Sequence, residues 1–162
     1  MEGGDGQVDL LIQIPSTQHL IIIEFKVIQI DYLGFNDILK QRGIHYSRLN
    51  KAAILNEYPN ADTVLKCKFG SWDKIEVGNN NMRRGRAGMT IDEWIKFPGG
   101  PAHQLKSYWN SEEIQLLRSQ FPNASAYLVV LVGSRKILVS RLNNELEEFK
   151  LAGSFVREAM ET

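Results

Sequence analysis

The pattern that most constrains the fold is a pair of apolar runs near the start of the chain, separated by a short turn-forming segment. The runs Gln7–Ile14 and His19–Val27 are rich in Val, Leu and Ile, and Pro15, Ser16 and Thr17 lie between them. Apolar runs of this length on either side of such residues predict a β-hairpin. A turn centred between Ser16 and Thr17 then sets the register of the two strands.

This register brings charged side chains together on one face of the hairpin. Asp9 faces Glu24 across the ladder, and Lys26 shares the face of Glu24 because side chains alternate along a strand. Opposed like charges destabilise a strand pair by up to about 1 kcal/mol. Either a divalent cation lies between the two carboxylates, with Lys26 directed at a metal-bound water or a phosphate oxygen, or Lys26 simply neutralises the pair on a solvated face.

The opposite face of the hairpin carries only apolar side chains, and we expect it to be packed into the core. Its members are Val8, Leu10, Ile12, Ile14, Ile21, Ile23, Phe25 and Val27.

Two motifs of this chain, taken in their order along the sequence, resemble those of the PD-(D/E)XK nuclease superfamily. Asp9 matches the lone acid of that family, and Glu24 and Lys26 match its (D/E)-x-K motif, although the Pro of the name is absent. Gln104 and Tyr108 match the Q-x-x-x-Y helix of the RecB-like branches. The chain looks most similar to nuclease-like domains that accompany AAA-ATPase-like modules, including those of crinkler-type effectors.

The resemblance implies an α/β fold of the restriction-endonuclease type, with a mixed sheet flanked by helices. It implies a metal-dependent nuclease that hydrolyses DNA phosphodiester bonds. Asp9, Glu24 and the backbone carbonyl of Phe25 would bind Mg²⁺, for which Mn²⁺ substitutes, and Lys26 would orient or deprotonate the attacking water.

Gln104 and Tyr108 lie one helical turn apart, on one face of their predicted helix. The resemblance implies that they contact the metal site or the substrate phosphate; alternatively, they are ordinary polar positions on an amphipathic helix. The family's core usually begins with a helix and a strand before the Asp strand, and only MEGGDGQV precedes Asp9 here. This departure favours the alternative of a catalytically degenerate nuclease-fold module that binds protein or nucleic acid.

The remaining patterns predict one domain over residues 1–162, with residues 34–98 as a helical insertion or lid after the Glu24 strand. We expect loops or turns over Gly70–Gly88 and Phe121–Ser125. Helices are predicted over Phe35–Tyr58 with a break at Gly43, over Asn60–Phe69, over Thr90–Phe97, over Pro101–Gln120 with a break near Ser111, and over Asn143–Lys150. Strands are predicted over Tyr127–Val132 and Ile137–Leu142.

A cluster of three arginines marks the predicted loop. Arg83, Arg84 and Arg86 lie among glycines, and the planar guanidinium suits phosphate recognition. The alternative is a solvated loop. The three tryptophans could stack on bases, although we expect at least two of them to pack in the core. They are Trp72, Trp94 and Trp109.

Composition limits the function classes. Lys plus Arg and Asp plus Glu number 19 each, so the net charge is zero and any DNA binding requires a local patch. The single Cys67 excludes an intramolecular disulfide. We expect no membrane association. We expect an intracellular protein, with the nucleus as a possible compartment and a secreted-effector origin left open. We also expect a homodimer formed through the hairpin sheet and a protein partner that contacts residues 34–98.

Overall fold

The computed structural model describes residues 8–71, 75–77, 81–83 and 85–152. The strands are β1 Leu10–Ile14, β2 His19–Ile28, β3 Ile75–Val77, β4 Asn81–Arg83, β5 Asn123–Val132, β6 Lys136–Asn143, β7 Glu145–Leu146 and β8 Lys150–Leu151. The helices are α1 Asn36–Gln41, α2 Arg48–Asn56, α3 Ala61–Leu65, α4 Ile91–Lys96, α5 Pro101–Trp109 and α6 Glu112–Gln120, with a 3₁₀ helix at Ile30–Tyr32.

A mixed sheet in the order β1-β2-β5-β6-β7 forms the centre of the molecule, and β8 also pairs with β6. The β1–β2 and β5–β6 pairs are antiparallel, whereas β2 and β5 are parallel. The segment between β2 and β5 contains α1 to α6, as a parallel connection requires a crossover. The predicted α/β class with a mixed sheet and flanking helices is therefore confirmed.

The predicted hairpin and its register are also confirmed. Leu10 pairs with Ile23 and Ile12 with Ile21, and continuing this register brings Asp9 to the position opposite Glu24. The chain turns between the two strands over residues 15–18.

The predicted burial of the hairpin is wrong, because the apolar face is the open one. Phe25 and Val27 are 46% and 57% exposed, whereas Leu20 and Ile22, on the face of Glu24, are fully buried. Helix α5 packs against β2 and β5, and its Leu105 joins the same core as Leu20. Both faces of β2 are largely apolar, so alternation alone could not identify the face that the helices cover.

The helical segment after β2 divides near Gly43, as predicted. Gly43 has a φ of +66° between α1 and α2, a conformation that glycine adopts without strain. On α2, Leu49 is 74% exposed whereas Lys51 is buried, so the apolar residues of this helix do not by themselves mark its inward face. Buried side chains of this segment, such as Leu55, belong to the same core as those of the sheet.

Helix starts follow their capping signals. The Asn60 and Thr90 side chains accept hydrogen bonds from backbone amides in the first turns of α3 and α4, and both helices have capping boxes. Pro101 begins α5, and Ser111 caps α6 after the predicted break.

Two predictions near the end of the chain are wrong. Strand β5 begins at Asn123, inside the predicted turn, because Asn123 already pairs with His19. The predicted helix over residues 143–150 is instead occupied by β7 and β8, because Asn144 has a φ of +65° and a tight turn pairs Leu142 with Leu146.

The predicted loop over residues 70–88 contains the small β3–β4 hairpin. None of the helices in the described ranges is long and apolar enough to cross a membrane.

Candidate functional site

The hairpin places Asp9, Glu24 and Lys26 together on the inner face of the sheet. The backbone amide of Phe25 donates a hydrogen bond of 2.7 Å to Oδ2 of Asp9, which fixes that carboxylate beside the Glu24 strand. Nζ of Lys26 lies 3.2 Å from Oε2 of Glu24. The predicted grouping of the two acids and the lysine is thus present in the structure.

Glu24 lies in an environment that disfavours its charge. It is only 8% exposed, and the fully buried Ile22 and Leu128 lie next to it on the same face. Burial raises the pKa of the Glu24 carboxyl, the hydrogen bond and charge of Lys26 oppose this shift, and the nearby Asp9 carboxylate adds to it. A buried carboxylate with a raised pKa and a second acid beside it is typical of a functional site, although structural ion pairs also perturb pKa values.

The donor set is compatible with a hard divalent cation that keeps most of its water ligands. Mg²⁺ is usually bound by one or two carboxylates together with waters and substrate phosphates, and Asp9 and Glu24 supply two carboxylates. No group of three or more His, Cys, Asp or Glu side chains that could hold a metal occurs among the described residues. Phe25 contacts the site through its amide, and its role as a carbonyl ligand stays a prediction.

Gln104 and Tyr108 both lie on α5 but have different surroundings. Nε2 of Gln104 donates to the carbonyl of Gly99 at 3.2 Å, and its side chain is exposed. Tyr108 is buried in the core. In the described part of the chain, neither side chain is hydrogen-bonded to Asp9 or Glu24, so their role at the site stays a prediction.

The structure describes the arginine cluster only in part. Arg84 lies outside the described residues, and Arg83 is described as backbone of β4. The guanidinium of Arg86 lies among three aromatic rings, a favourable cation–π arrangement. The ring centroids are 4.2, 5.1 and 5.6 Å from its Cζ, for Phe69, Trp94 and Tyr32 respectively.

The tryptophans are engaged inside the molecule where they are described. Trp94 packs edge-on against Phe69, with ring centroids 5.7 Å apart. The guanidinium of Arg118 lies 3.9 Å from the Trp109 ring, and both tryptophans pack against the core. Trp72 lies outside the described residues.

Sequence reasoning missed one buried cation, Lys51. Its Nζ donates to the backbone carbonyls of Leu33 at 2.9 Å and Asp31 at 3.3 Å, and it lies 4.9 Å from the Tyr46 ring. Burial lowers the pKa of Lys51. These contacts fix the chain that leaves β2, the strand of Glu24, against α2. A lysine on a short helix carries no sequence signal for such burial.

Comparison with known proteins gives no relative from which a function can be transferred. No family model matches the sequence, and neither a curated protein nor a solved structure matches it. The structure therefore defines an α/β protein with a mixed sheet, and its function has to be argued from the site itself.

Proposed function

We propose that this protein is a metal-dependent phosphodiesterase that hydrolyses DNA. The observation that carries the proposal is the placement of Asp9 beside the buried Glu24, with Lys26 in contact with Glu24. Two adjacent carboxylates with a lysine provide the groups needed for metal-assisted hydrolysis of a phosphate ester. A divalent metal bound here would stabilise the charge of the phosphoryl group and lower the pKa of a water molecule.

The residues of the chain have distinct roles in this proposal. Oδ2 of Asp9 accepts a hydrogen bond from the Phe25 amide, which positions this carboxylate beside Glu24 for a shared cation. Glu24 supplies the second carboxylate, and its charge becomes more favourable when a cation is present. Lys26, which is partly exposed, orients the water or binds a phosphate oxygen. Any contribution of Arg83, Arg84 or Arg86 to DNA binding would lie outside this group.

The sheet order supports the finer assignment to a restriction-endonuclease-like fold. Strand β5 follows the helix that carries Gln104, as the resemblance implies, and pairs in parallel with the strand of Glu24. The described part of the insertion, residues 34–98, contains α1 to α4 and the β3–β4 hairpin and could act as a lid over substrate.

Cleavage of plasmid and single-stranded DNA in Mg²⁺ or Mn²⁺ tests this function. We expect Asp9→Asn, which removes a charged metal ligand, and Lys26→Met, which removes the group that orients the water, each to lose about 100-fold or more of the activity. Asn keeps an oxygen that can accept from the Phe25 amide, so the hairpin should stay intact. Lys40→Met, an exposed change on α1, should leave cleavage unchanged. Equal cleavage by wild type and Asp9→Asn would rule out this site.

A second candidate function is a non-catalytic interaction module on the same scaffold. It is favoured by exposed apolar side chains on the insertion, where Ile44, Tyr46 and Leu49 are 40%, 58% and 74% exposed. Such a cluster fits a protein partner. This alternative predicts no Mn²⁺ binding by titration calorimetry. Binding in the wild type that disappears in Glu24→Gln would support the phosphodiesterase instead.

A further inference from the structure

The central sheet has one face that the described helices leave open, and this face is apolar. It consists of the outward apolar side chains of β1, β2, β5 and β6, which lie next to one another in the observed register. We call it the open sheet face. Its members are Leu10, Ile12, Ile14, Ile21, Ile23, Phe25, Val27, Tyr127, Val129, Leu131, Ile137 and Val139.

Several side chains of this face are well exposed to solvent. Phe25 and Val27 lie on β2 beside β5, just past the last residue that is paired with β1, and they are 46% and 57% exposed. The parallel pair β2–β5 is apolar on both faces over most of its length. Strands of that composition normally have both faces covered, and large exposed apolar patches mark interaction sites.

We propose that the open sheet face binds the same face of a second copy of this chain. Among the described strands, charged side chains on this side lie at its β6 edge, where Arg141 is opposite Tyr127 and Lys150 is opposite Val139, so two identical faces bring no like charges together at their centre. The net charge of the chain is zero, so two copies approach without mutual repulsion. A two-fold axis pairs each such patch with itself and closes the assembly as a dimer.

The size of the face agrees with this assignment. Strands lie about 4.8 Å apart and residues rise about 3.3 Å, so the four strands present an area of roughly 20 by 25 Å. A standard stable interface buries about 800 Å² on each partner. The face therefore supplies most of the required area, and its rim supplies the remainder. Two sheets in contact would pack with their strands about 30° apart, the aligned geometry of β-sandwiches.

Sedimentation equilibrium of the full chain at micromolar concentration tests the proposal. We expect a dimer of the 18.4 kDa chain and at least about a 100-fold weaker association in Val27→Glu, because an unpaired charge would be buried in the contact. Leu116→Glu is the matched control, since Leu116 is 63% exposed on α6 and lies off this face. It should leave the dimer unchanged.

A second substitution separates lost association from lost folding. Ile137→Lys places the opposite charge on β6, where Ile137 is 39% exposed, and should also give a monomer with a native circular dichroism spectrum. A wild-type monomer would overturn the proposal and leave the face to a different partner. A dimer that persists in both Val27→Glu and Ile137→Lys would also overturn it, because the contact would then lie elsewhere.

Discussion

At the scale of single residues, the structure buries two charged side chains, Glu24 and Lys51, near the end of β2. Glu24 is a carboxylate on the inner face of the sheet, and Lys51 is an ammonium that holds the carbonyls after β2. Lys51 has backbone partners and serves the fold. Glu24 raises the energy of the folded state when it is ionised, which is the usual condition of a group kept for function.

Glu24→Gln should stabilise the metal-free protein at pH 7. Because burial raises the folded-state pKa of Glu24, the stability that its protonation contributes is present below the unfolded pKa and is lost as pH rises through the folded pKa. Glutamine keeps the shape without the charge, so we expect the free energy of unfolding at pH 7 to rise by about 0.5–2 kcal/mol. In urea denaturation from pH 4 to pH 8, the free energy of unfolding should decrease less for Glu24→Gln than for the wild type.

A change at Glu57 provides the opposite control. Its pKa is lowered by the hydrogen bond and charge of Arg42, so Glu57→Gln should bring no stabilisation at pH 7. If Glu24→Gln were no more stable than the wild type, Glu24 would not carry a burial penalty and the argument for a functional carboxylate would fail.

Lys51→Met should destabilise the protein by about 1–3 kcal/mol, because the carbonyl of Leu33 would lose its buried donor. Methionine retains the apolar stem, so little packing is lost. Urea denaturation at pH 7 measures the change, with the exposed Lys40→Met as control. Equal stability of Lys51→Met and the wild type would mean that the Lys51 contacts do not hold the segment after β2.

At the scale of elements, the position of the Gln104 helix depends on a close contact between two backbones. A Cβ atom at Gly100 would lie 2.6 Å from the carbonyl oxygen of Trp94 and 2.9 Å from that of Phe97. Helices α4 and α5 therefore meet at a corner that only glycine permits. Since α5 packs against β2 and β5, this corner also determines how α5 covers the inner face.

Gly100→Ala should destabilise the protein by about 1–3 kcal/mol, since a backbone must move to admit the methyl group. Gly43→Ala serves as comparison, because Gly43 has a positive φ but open space around it, and its change should cost only about 1 kcal/mol. Thermal unfolding of both variants gives the order of effects. A smaller loss for Gly100→Ala than for Gly43→Ala would contradict the close approach.

At the scale of the whole molecule, the inner face of the sheet holds the core and the candidate site, and the described helices leave the outer face open. Binding of a divalent cation at Asp9 and Glu24 should stabilise the whole fold by mass action. At a free Mn²⁺ concentration 100 times its Kd, the gain should be about 2.7 kcal/mol.

This gain should appear as an increase in Tm for the wild type in scanning calorimetry. It should be absent in Glu24→Gln, which removes one ligand, and retained in Leu116→Glu, which changes only an exposed position of α6. An equal increase in wild type and Glu24→Gln would place metal binding away from this site.

The sequence by itself determined the local features of this protein, because their physical causes lie within a few residues. The turn after Ile14 sets the hairpin register that brings Asp9 next to Glu24, and Asn60 and Thr90 start their helices through their own hydrogen bonds. Only the tertiary structure decided which face of the sheet is buried. Both faces of β2 are apolar, and the helices that cover one of them come from a distant part of the chain. For the same reason, Lys51 is buried and Leu49 exposed on α2, since the phase of a short helix is set by what it packs against.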